Sequence, residues 1–358
     1  MGRKHLNKNG EGRDFFLDVT RFIAILCVIM LHVSVNYIHY QAQTKAEVLV
    51  GTILNGLTQA GVPLFLMISG ALLLNEKKSY TTVQFLKKAL EFFVLGTIWA
   101  LLYAVFQQIV LPKLLDQPIV KMAFWEALIL GATHLWYMYV IVGLYLIMPF
   151  LRCFCRKENA RLVLYFIALA LVFQFLTPIL NFLGNLIGGK DLYLRYVEGF
   201  RVSYVLGYTT YFLVGWYIKN IEINVKFKRL IYIVGGIAVI VIVLGEFFGY
   251  GKNGLFNNLS IFNFTYSVAF FLCMHNVFSN KQVKLLTAWE FKGFANLAFG
   301  VYLIHPALMI VIGFALEKLG VAWGLLGLFF EFFIVVAVSF LLAFVISKIP
   351  FVKRLIRG

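Results

Sequence analysis

Apolar residues run along this chain in ten long stretches with short polar breaks between them. Their limits are about 16–38, 48–75, 89–111, 134–151, 162–181, 202–218, 230–249, 260–279, 293–314 and 321–347. A helix needs about 20 mainly apolar residues to cross a bilayer, so the pattern predicts about ten transmembrane helices. Between the third and fourth stretches, MAFWEALILGA reads as a short interfacial or re-entrant helix. No polar stretch is long enough to fold alone. The expected organisation is a basic N-terminus over 1–15, one transmembrane domain over 16–347 and a basic tail over 348–358. The first stretch lacks the short apolar region and small-residue cleavage site of a signal peptide, so it is expected to be retained.

Within the first stretch, FFLDVTRFIAILCVIMLHVSVNY, stand Arg21 and His32. A charge at mid-helix costs about 2.5 kcal/mol or more, which makes such residues candidates for function. Eleven residues at 100° each return them to one helix face, about 16 Å apart along the axis. Asp18 and Asn36 extend the same polar stripe. Arg21 reads equally as an anchor paired with Asp18 or as a bidentate site for an anionic group such as phosphate. His32 lies deep enough to need polar partners or a wet cavity, and its ordinary pKa suits a general base.

Composition settles the class. Of 358 residues, 61% are hydrophobic and 13% charged, with mean hydropathy +0.87, too apolar for a soluble domain of this length. The net charge of +16 is not a nucleic-acid signature, because of where the charges fall. Alternate loops hold 23 of the 32 Lys and Arg residues, the other side holds 8, and Arg21 completes the set. The basic side is expected to be cytoplasmic, and it includes both termini. Cys27 and Cys273 lie in predicted spans and Cys153 and Cys155 in a basic loop, which argues against disulfides. The sequons at Asn258 and Asn263 open a span and read as chance.

Other polar residues interrupt later spans. In LTQAGVPLFLMISGALLL, Pro63 is expected to open or kink the helix, while Gly61, Ser69 and Gly70 let a neighbour approach. The fourth span opens THLWYMYVIVGLYLIMP, which puts His134, Trp136 and Tyr137 at a membrane interface, with an aromatic belt as the plain reading. The ninth carries VYLIHPALM, with Tyr302 and His305 at mid-bilayer before Pro306. Two deep histidines on separate spans suggest one shared cavity. Glu331 and Glu246 are buried acids able to orient an imidazole. The loop over 182–201 reads as a substrate entrance or as an ordinary solvated loop. There is no phosphate-binding glycine loop, CxxC pair, HExxH or Asp-rich cluster, so no metal is expected.

Four stretches, LDVTRFIAILCVIMLH, GVPLFLMISGALLL, HLWYMYVIVGLYLIMP and VYLIHP, resemble the membrane acyltransferase-3 family in the family's order. The resemblance implies a ten-helix core in a cell membrane, in a bacterium, with acyl-CoA (acetyl-CoA first) reaching the site from the cytoplasm. It implies a glycan or lipid-linked glycan as acceptor on the other side. By match, Arg21 and His32 correspond to the family's first-span arginine and essential histidine, Ser69 and Gly70 to its Ser-Gly pair, and Trp136 and His305 to later motif positions. On this reading His32, Arg21 and His305 are expected to be catalytic and Arg21 to bind the donor, with Lys87, Lys88 or Arg152, basic residues nearer the surface, as further donor contacts. The chain departs from the pattern in FLKKALEF, where Lys88 and Glu91 stand in place of two arginines. The rival reading is an exporter or flippase of a glycan or small acylated metabolite, equally compatible with deep polar residues, though no internal repeat is evident.

Overall fold

The computed structural model describes residues 14–115, 126, 132–186, 203–279, 288–320, 324–350 and 352–356. These residues are overwhelmingly helical, as a backbone in hydrocarbon must be, because each N–H and C=O needs a partner within its own segment. Helix α1 is Phe15–Tyr40, α2 is Lys45–Thr58 and α3 is Gly61–Leu73. Helix α4, Thr82–Val105, continues through a π turn at Phe106–Val110 into Leu111–Leu115. Helix α5 is Trp136–Phe154, and α6, Ala160–Ala170, passes through a second π turn at Leu171–Phe175 to α7, Thr177–Leu186. The rest are α8 (Ser203–Asn220), α9 (Val225–Phe247), α10 (Ile261–Ser279), α11 (Ala288–Lys318) and α12 (Leu325–Lys348).

Among the described residues, nine segments are long and apolar enough to cross a membrane, and α8 is a tenth long helix where a span is predicted. The protein is therefore an all-α polytopic membrane protein. The short helix expected in MAFWEALILGA and the loop expected over 182–201 fall largely outside the described residues. Asp14 is bonded to Lys219 at the end of α8 (2.5 Å), and Phe15 packs edge-on against Phe278 and Phe291. Phe22 lies 5.8 Å from Phe340 of α12. The start of α1 and the finish of α12 thus share one end of the bundle, the Asp14 end.

Local chemistry sets the helix limits. Thr44 with Glu47 and Thr81 with Gln84 form reciprocal capping boxes at the starts of α2 and α4. Pro63 breaks its span as expected: α2 stops at Thr58, and Pro63 falls in the first turn of α3, where a missing N–H costs nothing.

Two features fix how helices meet. Where α3 crosses α8, a Cβ on Gly70 would lie 1.8 Å from the Phe212 carbonyl oxygen, and one on Gly215 would lie 1.9 Å from that of Met67. The two main chains touch directly, an approach open only to glycine, and dispersion at such seams is a main source of helix association in lipid. Pro306 interrupts α11, and a side chain from α4 repairs the break. The Tyr103 hydroxyl accepts from Ala307 N–H (3.3 Å) and donates to the Leu303 carbonyl (2.8 Å), inserting between groups that would otherwise bond to each other.

Candidate functional site

The bundle holds two chambers in series, each with polar groups set in a mainly apolar wall. The larger, 540 Å³, reaches from Arg21 of α1 past Ser69, Tyr145 and Asn296 to Tyr137 and Tyr302. The smaller, 210 Å³, contains His32, Thr58, Gln59, His134, Trp136 and Asn258. Four side chains line both: Val28 of α1, Val62 of α3, Tyr137 of α5 and Tyr302 of α11. One residue from each of four helices therefore forms the septum. On α1 the order Arg21, Val28, His32 follows the chambers outward from the Asp14 end, so the stripe foreseen on that helix spans both.

Three histidines from three helical segments meet at the smaller chamber. The His305 ring lies 5.2 Å from that of His32 and 6.1 Å from that of His134. His305 is fully buried, and its Nδ1 lies 3.0 Å from the Val301 carbonyl. A carbonyl can only accept, so this bond puts a proton on Nδ1. Nε2 of both His134 and His305 is buried without a hydrogen-bond partner among the described residues. His134 and His32 line the chamber, whereas His305 stands behind them. The two deep histidines expected to share a cavity do meet, but only His32 lines it, and the second histidine in its wall is His134. Tyr302 ties α11 to this group by donating to the His134 carbonyl (2.7 Å), and the Tyr103 ring meets the His134 ring edge-on at 4.7 Å.

The plain aromatic-belt reading of the fourth span does not hold. Tyr137 and His134 are buried, and Trp136 turns inward to pack on Tyr208 at 5.3 Å. The Tyr208 side is set by Gly207, whose non-helical backbone (φ −53°, ψ −111°) bends α8 just before that ring.

The remaining candidates are dispersed. Asp18 is buried on α1, one turn before Arg21. Glu331 of α12 is buried, accepts from Gln41 Nε2 (3.0 Å) and faces Asn36 across Gly313, beyond the chambers. Ser69 spends its hydroxyl proton on the Phe65 carbonyl (2.9 Å) while lining the larger chamber. Lys88 pairs with Glu91 (2.9 Å) on an exposed face of α4, and neither it nor Lys87 lines a chamber. Arg152 clasps the chain after α3 by donating to the Leu73 and Lys78 carbonyls, with the Tyr80 ring 5.2 Å from its guanidinium carbon. It borders a separate 590 Å³ hollow with Arg156 and Lys157. All four cysteines are free. Among the described residues no three His, Cys, Asp or Glu side chains converge to hold a metal ion.

Sequence reasoning missed Tyr103, Gln59, Asn258 and Tyr208. Pro306 gave the one available signal for Tyr103: a proline inside a span frees backbone groups that some donor must satisfy. Nothing in the sequence says which helix supplies it.

The fold and its buried polar interior define a multi-pass membrane protein with a chambered site. Residues 14–348 match the family model described as an acyltransferase domain, and the chain belongs to this acyltransferase-3 family. No curated protein matches the chain. No solved structure matches it either. Membership gives acyl transfer as the general chemistry.

Proposed function

We propose that the protein moves an acyl group, acetyl first, from a cytoplasmic acyl-CoA to a hydroxyl of a glycan or lipid-linked glycan on the far side of a cell membrane. The observation that carries this reading is the pair of chambers meeting at one septum, with Arg21 in the first and His32 in the second. Both termini are cytoplasmic in this reading, so the Asp14 end faces the donor. The 11-residue rise from Arg21 to His32 is about 16 Å, of the order of an extended pantetheine arm. A chamber of 540 Å³ falls within the about 300–1,000 Å³ usual for ligand sites.

In this mechanism His32 takes the proton of the acceptor hydroxyl as its oxygen attacks the thioester carbonyl. The carbon–oxygen bond forms, the carbon–sulfur bond breaks, and the imidazolium returns its proton to the departing thiolate. His305 packs against the His32 ring from behind, at 5.2 Å between ring centroids, and so limits where that ring can turn. Positioning and proton transfer supply the rate, since a thioester is already an activated donor.

The direct test incubates purified protein with acyl-labelled acetyl-CoA and candidate glycans. Label transferred to the glycan is the expected result; glycan crossing the membrane without label transfer would favour the exporter reading. A second expectation concerns the donor. Arg21→Ala weakens coenzyme A binding about tenfold or more, the loss of one charge-assisted contact of about 1.5–3 kcal/mol. Calorimetry in detergent reads it, and unchanged affinity in a folded variant would return Arg21 to the helix-anchor role.

A further inference from the structure

The smaller chamber carries groups that proton transfer does not use, and their chemistry restricts what the acceptor can be. Trp136 presents an aromatic wall and is backed by Tyr208 at an interplanar angle of 36°. Gln59 and Asn258 add two amides, and Thr58 a hydroxyl. The Gln59 amide spends one proton on Asn55 Oδ1 (3.4 Å), and no described residue bonds its oxygen. Asn258 is held from behind: the Tyr211 hydroxyl donates to its carbonyl (2.6 Å), and its side chain meets buried Asn263, which in turn accepts from Ser267 (3.0 Å). Asn258 is thus fixed by a second layer of buried polar residues.

Amides donate and accept at once, which suits a ring carrying several hydroxyls, each of which also does both. A flat aromatic surface suits the apolar face of such a ring. Neither Lys nor Arg lines this chamber among the described residues, in contrast to the Arg21 chamber. Among the described lining residues the only cations a carboxylate or phosphate could meet are protonated His32 and His134, and pairing with His32 would remove the neutral base that the transfer needs. At 210 Å³ the chamber lies below the about 300 Å³ at which sites for drug-sized ligands begin, a size suited to one sugar ring rather than a chain of them.

The geometry points to the smaller chamber as a subsite for a single uncharged pyranose unit, stacked on Trp136 and read by Gln59 and Asn258. The inference rests on the transfer reading for the sugar's role as acceptor, but its test is binding and needs no turnover. Full-length protein in lipid nanodiscs is titrated with neutral methyl pyranosides (gluco, galacto and N-acetylgluco) and with methyl glucuronide, followed by saturation-transfer NMR. At least one neutral pyranoside is expected to bind at or below about 10 mM, at least tenfold more tightly than the glucuronide. Trp136→Ala and Gln59→Ala each weaken it tenfold or more, Trp136→Phe retains it, and coenzyme A affinity stays within twofold throughout. Absence of binding by every neutral pyranoside, equal binding of the glucuronide, or wild-type binding in Trp136→Ala and Gln59→Ala would overturn the assignment. The two readings fail separately: acyl transfer to a non-sugar alcohol without pyranoside binding sinks this one alone, and pyranoside binding without any acyl transfer sinks only the catalytic reading.

Discussion

His32→Ala abolishes acyl transfer, lowering turnover by 10²-fold or more, while the protein still inserts, folds and binds coenzyme A. The expected size is that of a lost general base, about 10²–10⁴. The separation of effects follows from the site's division: His32 lines the smaller chamber and Arg21 the larger, so removing the imidazole leaves the donor's charged contact untouched. Truncation also leaves His134 in the chamber and His305 behind it. A variant with wild-type turnover would therefore move the base to one of those rings. Steady-state release of free thiol, set beside coenzyme A titration of the same preparation, distinguishes a catalytic loss from a folding loss.

Gly70→Ala is expected to prevent accumulation of folded protein. Its new methyl group would sit 1.8 Å from the Phe212 carbonyl oxygen, so α3 and α8 must part along their whole crossing. Overpacking a tight seam costs about 1–3 kcal/mol where side chains can yield; here only backbone is available to move, and the cost exceeds that range. Gly143→Ala is the control. It lies on α5 with nothing within 4 Å of the added atom, and it gains the helix propensity that glycine lacks, about 1 kcal/mol. The yield of monodisperse protein after detergent extraction, with its thermal midpoint, should collapse for the first and hold or rise for the second. Normal yield and midpoint for Gly70→Ala would mean that the seam is looser than described.

Much of this was legible in the sequence because a bilayer is a severe constraint. Span length and the common face of Arg21 and His32 follow from hydropathy and helix period, and the break before Pro63 from proline's missing N–H. Which helix faces meet does not follow. Lipid and helix interior are both apolar, so a span carries little of the one-sided pattern that marks the buried face of a soluble helix. That is why Trp136 and Tyr137, at a predicted interface, could equally have been belt residues, and why the match of Tyr103 to Pro306, about 200 residues away in sequence, was invisible. Arg152 is a different case: its type and position fit an anion site, and the sequence did not show that two of its N–H groups hold main-chain carbonyls beside the hollow it borders.

The α3–α8 crossing also bears on how this chain can change over generations. A clash between two side chains is reversible in sequence space, because trimming the partner restores the fit and opens a two-step path. At Gly70 and Gly215 the obstructing atoms belong to the peptide backbone, which is the same whatever residue occupies Phe212 or Met67. No single second substitution at the obstructing position can compensate, so each glycine is bound by the other helix's path and not by its sequence. Variation can pass through the surrounding positions of both helices while these two stay fixed.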